Sequence, residues 1–125
     1  RVASRGLGDV YKRQENGGYV EAKKLLKKNK KIDAIFCTSD EIAMGAYQAI
    51  KEEGLNIPKD ISIIGFDNAR LSKLVKPKLT TVQLPYSEMT QKAIQHIIDP
   101  QKFDDNFNIL VESPLIKRES VKVKK

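Results

Sequence analysis

Apolar positions along the chain fall into short solid runs and longer spaced sets, and the two alternate. Ala34–Cys37 and Ile61–Ile64 are compact apolar runs rich in strand formers, and their lack of alternation suits a parallel sheet buried on both faces. Between them, Ile42, Ala43, Ala46, Ala49 and Ile50 recur at helical spacing, which predicts a helix over Glu41–Glu53 that Gly54 stops. A second helix is expected over Gly18–Asn29, with Val20, Ala22, Leu25 and Leu26 as its apolar positions. Asn68–Lys78 reads as a polar connector, and Leu79–Leu84 as a strand closed by Pro85. Ser87–Ile98 is an amphipathic helix with Met89, Ala93, Ile94, Ile97 and Ile98 on one side. Ile109–Val111 and Leu115–Ile116 read as short final strands interrupted by Pro114, and Val121–Lys125 as a frayed end. The fold class is therefore α/β, a parallel sheet flanked by helices. A strand–helix–strand crossover makes its two strands parallel and adjacent. Thr38-Ser39-Asp40 and Asp67-Asn68 then emerge at the same carboxyl edge, where open α/β sheets bind ligands.

Charge changes this picture less than the formal +7 over 125 residues suggests. Residues 1–14 hold four basic and one acidic residue, and residues 117–125 hold five and one. Removing these from totals of 23 and 16 leaves 14 of each sign between, so the middle is neutral. A phosphate-binding face within this chain is not indicated, and Lys23, Lys24, Lys27 and Lys28 read as a solvated helix surface. Cys37 is the only cysteine, which excludes a disulfide within the chain and fits a reducing, cytoplasmic setting. Apolar runs fall short of the roughly 18 residues of a membrane span, and no secretory signal is visible. Residues 1–14, RVASRGLGDVYKRQ, lack periodicity and resemble translated adaptor sequence, so they are set apart from the fold. His96, the sole histidine, has no second ligand type beside it in sequence, and no nucleophile–base pair or phosphate-cradling glycine loop stands out. The expectation is a binding protein without metal or cofactor, and not an enzyme.

Five ordered blocks carry a resemblance: GGYVEAKKLL, TSDEIAMGA, IIGFDN, PKLTTV and LIKRES. Together they resemble the final third of the lac-repressor family of bacterial transcriptional regulators, and the stretch GFDNARLSKLVKPKLTTV is most similar to its catabolite-control and ribose-operon types. The resemblance implies part of a periplasmic-binding-protein-like type I fold, in which a small effector, a sugar or a purine-like molecule, sits between two lobes. It implies that residues 15–84 belong to the C-terminal lobe, 85–108 return to the N-terminal lobe, and 109–125 form final strands and a basic tail. Operator DNA is then bound by a helix-turn-helix headpiece absent from these residues. A homodimer is implied, and a phosphocarrier protein is a further partner in catabolite-control relatives. The alternative is a secreted sugar-binding protein of the same fold.

The resemblance also assigns residues. Asp67 matches the family's glycine-aromatic-aspartate and is expected to accept hydrogen bonds from the effector; the alternative is a turn aspartate bonding its own backbone. Ser39 stands where relatives often carry asparagine and is a second effector candidate with a shorter reach. Asp40 is read as the helix cap, with Ser39, or Thr38 paired with Glu41, as alternatives. Gln83 is a third effector candidate; it stands one position early relative to the family's glutamine, which by strand alternation turns it to the opposite face unless the register slips. Tyr86 either closes the pocket or packs between lobes. Met44 and Tyr47 lie off the apolar face of their helix and, with Val75, are expected at the dimer interface or against the rest of the lobe. The isoleucine face of Ser87–Ile98 is expected to stand exposed in a chain of this extent.

Overall fold

The computed structural model describes residues 7–28, 31–99 and 108–123. In chain order the elements are α1 (Leu7–Lys28), β1 (Ala34–Phe36), α2 (Asp40–Glu52), β2 (Ser62–Asp67), α3 (Leu71–Leu74), β3 (Thr80–Gln83), α4 (Tyr86–Ile98) and β4 (Leu115–Ile116). They form one sheet in the order β1-β2-β3-β4. β1, β2 and β3 run parallel, with Ile35 opposite Ile63 and Gly65 opposite Thr81. β4 returns antiparallel to β3, so the sheet is mixed rather than wholly parallel.

Local chemistry explains the boundaries of α2. Ser39 is its N-cap, and the Ser39 hydroxyl accepts from the Ile42 amide at 3.2 Å. The cap assigned to Asp40 therefore belongs to its neighbour, because Ser39 alone has the extended backbone of a cap (φ −151°, ψ 162°) while Asp40 is already helical. At the other end Gly54 takes φ +71°, its amide donates to the Lys51 carbonyl, and the Leu55 amide donates to the Ile50 carbonyl. This double bond pattern satisfies two carbonyls that the helix end would leave bare.

Ile50, Ile63 and Leu79 are fully buried between α2 and the sheet, and Ala43, Ala46 and Ala49 let the helix lie close. Truncating Ile50 to alanine would cost about 2–5 kcal/mol on the precedent of buried aliphatics. α1 packs on α2 and begins at Leu7, eleven residues before the expected Gly18. Glycine weakens helix interiors, yet the helix runs through Gly17 and Gly18. Gly18 is the crossing point: a Cβ there would stand 2.1 Å from the Ile42 carbonyl oxygen. Val20 and Leu25, expected on the packed face, are each 44% exposed, while Ala22 is buried.

Four further expectations are corrected. β1 is an edge strand rather than one covered on both faces, and Phe36 is 60% exposed beside an open cavity of about 390 Å³ lined by Ala22, Leu25, Ile35 and Ile42. The connector holds the single-turn α3. Residues 109–111 pair with no strand and Leu110 is almost wholly exposed; Ile109 and Val111 are half-buried without a ladder. The tail is docked through Lys122, not frayed from Val121: the Ser120 hydroxyl donates to the Ile63 carbonyl at 2.6 Å and accepts from the Thr80 amide at 2.8 Å. The Lys122 amide donates to Ser62 Oγ. α4 has no buried residue, and Ile97 and Ile98 are each 76% exposed, as expected for that face. Residues 100–107 of the 85–108 segment lie outside the described residues.

Candidate functional site

Because β1, β2 and β3 are co-directional, their carboxyl ends deliver Ser39, Asp67 and Gln83 to one edge of the sheet, and Tyr86 follows β3 three residues later. Asp67 and Gln83 are register partners across β2 and β3. Gln83 is thus beside the turn, not facing away from it: its Oε1 accepts from Asn68 Nδ2 at 3.0 Å. The one-residue offset in sequence did not remove it from the site, because Asn68 rather than a ligand is its partner.

The turn itself is strained. Asp67 has φ +106° and Asn68 φ +55°, two successive non-glycine residues in the left-handed half of the map. Each such residue costs on the order of 1–3 kcal/mol and persists only where its surroundings impose it. Here they do. The Asn68 amide donates to Thr81 Oγ1 at 3.3 Å, and the Ala69 amide donates to Asp40 Oδ2 at 2.7 Å. Arg118 Nη2 donates to Asn68 Oδ1 at 2.5 Å.

Asp40 organises this corner. It is fully buried, and its carboxylate also accepts from Thr81 Oγ1 at 2.6 Å, tying the start of α2 to β3 and to the exit of β2. Burial pushes the Asp40 carboxyl above its ordinary range, and the bonds from Thr81 and Ala69 pull the other way. Gly65 makes room for it: a Cβ on Gly65 would lie 2.2 Å from Asp40 Oδ1. Burial likewise raises Asp67, reinforced by the charges of Glu41 and Asp40. Burial also raises the Tyr86 hydroxyl, with Asp67, Glu41 and Asp40 adding to it, which places all four groups in one electrostatic neighbourhood. Tyr86 is 56% exposed. The edge is acceptor-rich and electronegative, with the hydroxyl of the buried Ser39 and the exposed Tyr86 phenol beside it, suited to a ligand that brings hydroxyl or N–H donors.

Sequence reasoning placed Asn68 at this edge without a role, and missed Arg118, Thr81 and Gly65 as parts of the site. Arg118 lay inside the LIKRES block and Gly65 inside IIGFDN, but only the fold shows that they converge on residues 67–69. The interface candidates separate. Tyr47 is buried in the core, its hydroxyl donating to the Pro77 carbonyl at 3.0 Å, so it does not lie off the packed face of α2. Met44 and Val75 are half-buried against the same core. Cys37 is buried one residue past β1, and burial pushes its thiol up to about 11. Among the described residues no group of histidine, cysteine and acidic side chains could hold a metal ion, and no helix is long and apolar enough to cross a membrane.

The sheet, parallel in three of its four strands, thus carries a clamped acidic turn at its carboxyl edge. The periplasmic binding protein-like domain matches residues 5–121, and the chain belongs to that family. Within it the relatives are transcriptional regulators of the lac-repressor kind. The ribose operon repressor of Haemophilus influenzae is 38% identical over 107 residues, covering 84% of this chain and 32% of the repressor. A lac-repressor-family regulator from Enterococcus faecium, solved with bound ribose, superposes with a TM-score of 0.74 at 33% identity, over 89% of this chain and 41% of that one. The lac repressor bound to ONPG gives a TM-score of 0.79 at 27% identity, over 86% and 33%. The chain spans about a third of the length of the curated relatives it matches.

Proposed function

We propose that this chain is the effector-sensing part of a DNA-binding transcriptional repressor, and that its carboxyl edge forms one wall of the effector cleft. The observation that carries the reading is the strained Asp67–Asn68 turn, held through the backbone amide and both side-chain polar atoms of Asn68 on the edge where three parallel strands end. Asp67 accepts hydrogen bonds from effector hydroxyls, while the Ser39 hydroxyl, already accepting from Ile42, keeps its proton to donate. Tyr86 borders the same space. The surrounding carboxylates favour an uncharged, donor-rich ligand over a phosphorylated one. The effector is a pentose such as ribose, by analogy with the ribose operon repressor and the ribose-bound regulator.

In this reading residues 15–84 belong to one lobe, 85–108 cross to the other, and 109–125 return. Effector binding shifts the balance between lobe arrangements and so changes operator affinity, the DNA being held by a headpiece outside these residues. The protein acts as a cytoplasmic homodimer through the α2 face and the loop around Val75, with Met44 beside it, and it does not turn its ligand over. A phosphocarrier partner rests on the catabolite-control resemblance alone. Repressors among the curated relatives favour this over a secreted sugar-binding protein.

The test is calorimetric titration of the full-length protein with ribose, other pentoses, hexoses and purines, alongside operator release. Asp67→Ala should weaken binding roughly tenfold to a hundredfold, the worth of a charge-assisted bond. Unaltered affinity in that variant would remove Asp67 from the cleft.

A further inference from the structure

We propose that Arg118, acting through Asn68, is a positioning residue for the Asp67 carboxylate. Arg118 is itself held from several sides: guanidinium Nη1 donates to the Leu79 carbonyl at 2.6 Å and to Ser72 Oγ at 3.1 Å, while the backbone amide of Arg118 donates to Thr80 Oγ1 at 2.9 Å. Its other terminal nitrogen, Nη2, reaches Asn68 Oδ1 at 2.5 Å. The far end of the same side-chain amide, Asn68 Nδ2, donates to Gln83 Oε1. Asn68 is therefore pinned at both ends, and with it the peptide that joins it to Asp67. A lysine offers one compact ammonium where Arg118 uses two nitrogens in a fixed plane, so it cannot reach Leu79 and Asn68 with the same geometry.

The arrangement also joins two crossings of the chain. Gln83 is the last residue of β3 before the chain leaves toward α4, and its backbone amide donates to the Pro114 carbonyl at 2.9 Å on the returning segment. Arg118 follows two residues after β4, on that same returning segment. One side-chain amide thus connects the outgoing strand, the incoming strand and the acidic turn. A shift between the two crossings reaches Asp67 through Asn68.

This inference rests on the effector reading, but its test has an arm that needs no effector. In full-length protein, hydrogen exchange of the peptide covering residues 66–70 is measured without ligand for Arg118→Lys, Asn68→Gly and the double variant. Glycine tolerates the positive φ at position 68, so Asn68→Gly deletes the amide clamp without opposing the turn. Each single variant should speed exchange there by about tenfold or more while the core peptide of residues 61–65 holds, and the double should add nothing further. Unchanged exchange at 66–70, or additive effects, would overturn the proposal. The second arm is affinity for ribose. Both single variants should weaken it about tenfold, and Arg118→Lys should cost nothing extra on the Asn68→Gly background. Independent losses would mean that Arg118 supports the fold without positioning Asp67. If wild-type protein binds none of the sugars, the effector reading falls, and the exchange result alone decides the role of Arg118.

Discussion

Substituting Gly65 by alanine adds one methyl group at a place where the structure has no room for it. The new Cβ would lie 2.2 Å from Asp40 Oδ1 and 2.8 Å from Leu79 Cδ2, both well inside contact distance. Leu79 is fully buried and cannot move outward, and Asp40 is fixed as the first residue of α2. The carboxylate must therefore withdraw from Thr81 Oγ1 or the Ala69 amide, at 2.6 and 2.7 Å. Overpacking of a filled core costs about 1–3 kcal/mol, and losing one bond to a charged group costs about 1.5–3 kcal/mol. The expected loss is roughly 2–5 kcal/mol, since partial relaxation recovers some of either term. Urea unfolding of the full-length protein measures it, with Gly17→Ala as the comparison. Gly17 is exposed within α1, and a Cβ there meets nothing within 4 Å, so that variant should gain about 0.5–1 kcal/mol from helix propensity. On an Asp40→Ala background the penalty of Gly65→Ala should shrink by at least half, because the clashing oxygen is gone. A Gly65→Ala protein as stable as wild type, or an undiminished penalty without the carboxylate, would refute the packing described here.

Other outcomes follow from the same structure. Asp40 is held above its ordinary carboxyl pKa, so the folded state binds its proton more tightly than the unfolded chain does. Its contribution to stability is then greatest below about pH 3.8 and declines as pH rises through the folded value; the stability of wild type relative to Asp40→Asn, followed by urea unfolding from pH 3 to 7, should fall with pH. A rising difference would contradict the assigned direction. Cys37, buried with its thiol pushed up to about 11, should react with iodoacetamide at neutral pH only as fast as the protein opens, and fast native-state alkylation would count against its burial. Tyr47→Phe should cost about 1 kcal/mol by removing the bond to the Pro77 carbonyl, measured by thermal unfolding. The 125-residue chain should self-associate in sedimentation through the open face of α4, and Ile97→Glu with Ile98→Glu should reduce this; a sharp monomeric melting transition for the unaltered chain would tell against it.

Much of the fold was legible because its signals are local. The solid apolar runs before Thr38 and Gly65, the spaced alanines of α2 and the glycine after it each specify their element without help from distant residues. The direction of β4 was not legible, since a two-residue strand carries no pattern that distinguishes parallel from antiparallel. Gly18 misled for a related reason: its value lies in the approach of Ile42, 24 positions away, which no window around it records. In the site, the edge and Asp67 followed from topology, whereas Asp40 was misread because an aspartate at a helix start looks like a cap. Its partners, Ala69 and Thr81, are 29 and 41 residues distant. Gln83 shows the opposite error, where alternation was applied to a ligand contact and the side chain instead holds the turn.

The docking of Ser120 has a consequence for synthesis on the ribosome. Its hydroxyl and backbone stitch Ile63 to the residues that lead into β3, and Lys122 adds a bond to Ser62. Until codons 118–122 have been translated and that stretch has cleared the exit tunnel, the nascent lobe lacks its final fastening. Products shortened by premature termination just upstream of Arg118 would be released with β2 and β3 paired by their own ladder but without the Ser120 bonds that tie Ile63 to Thr80.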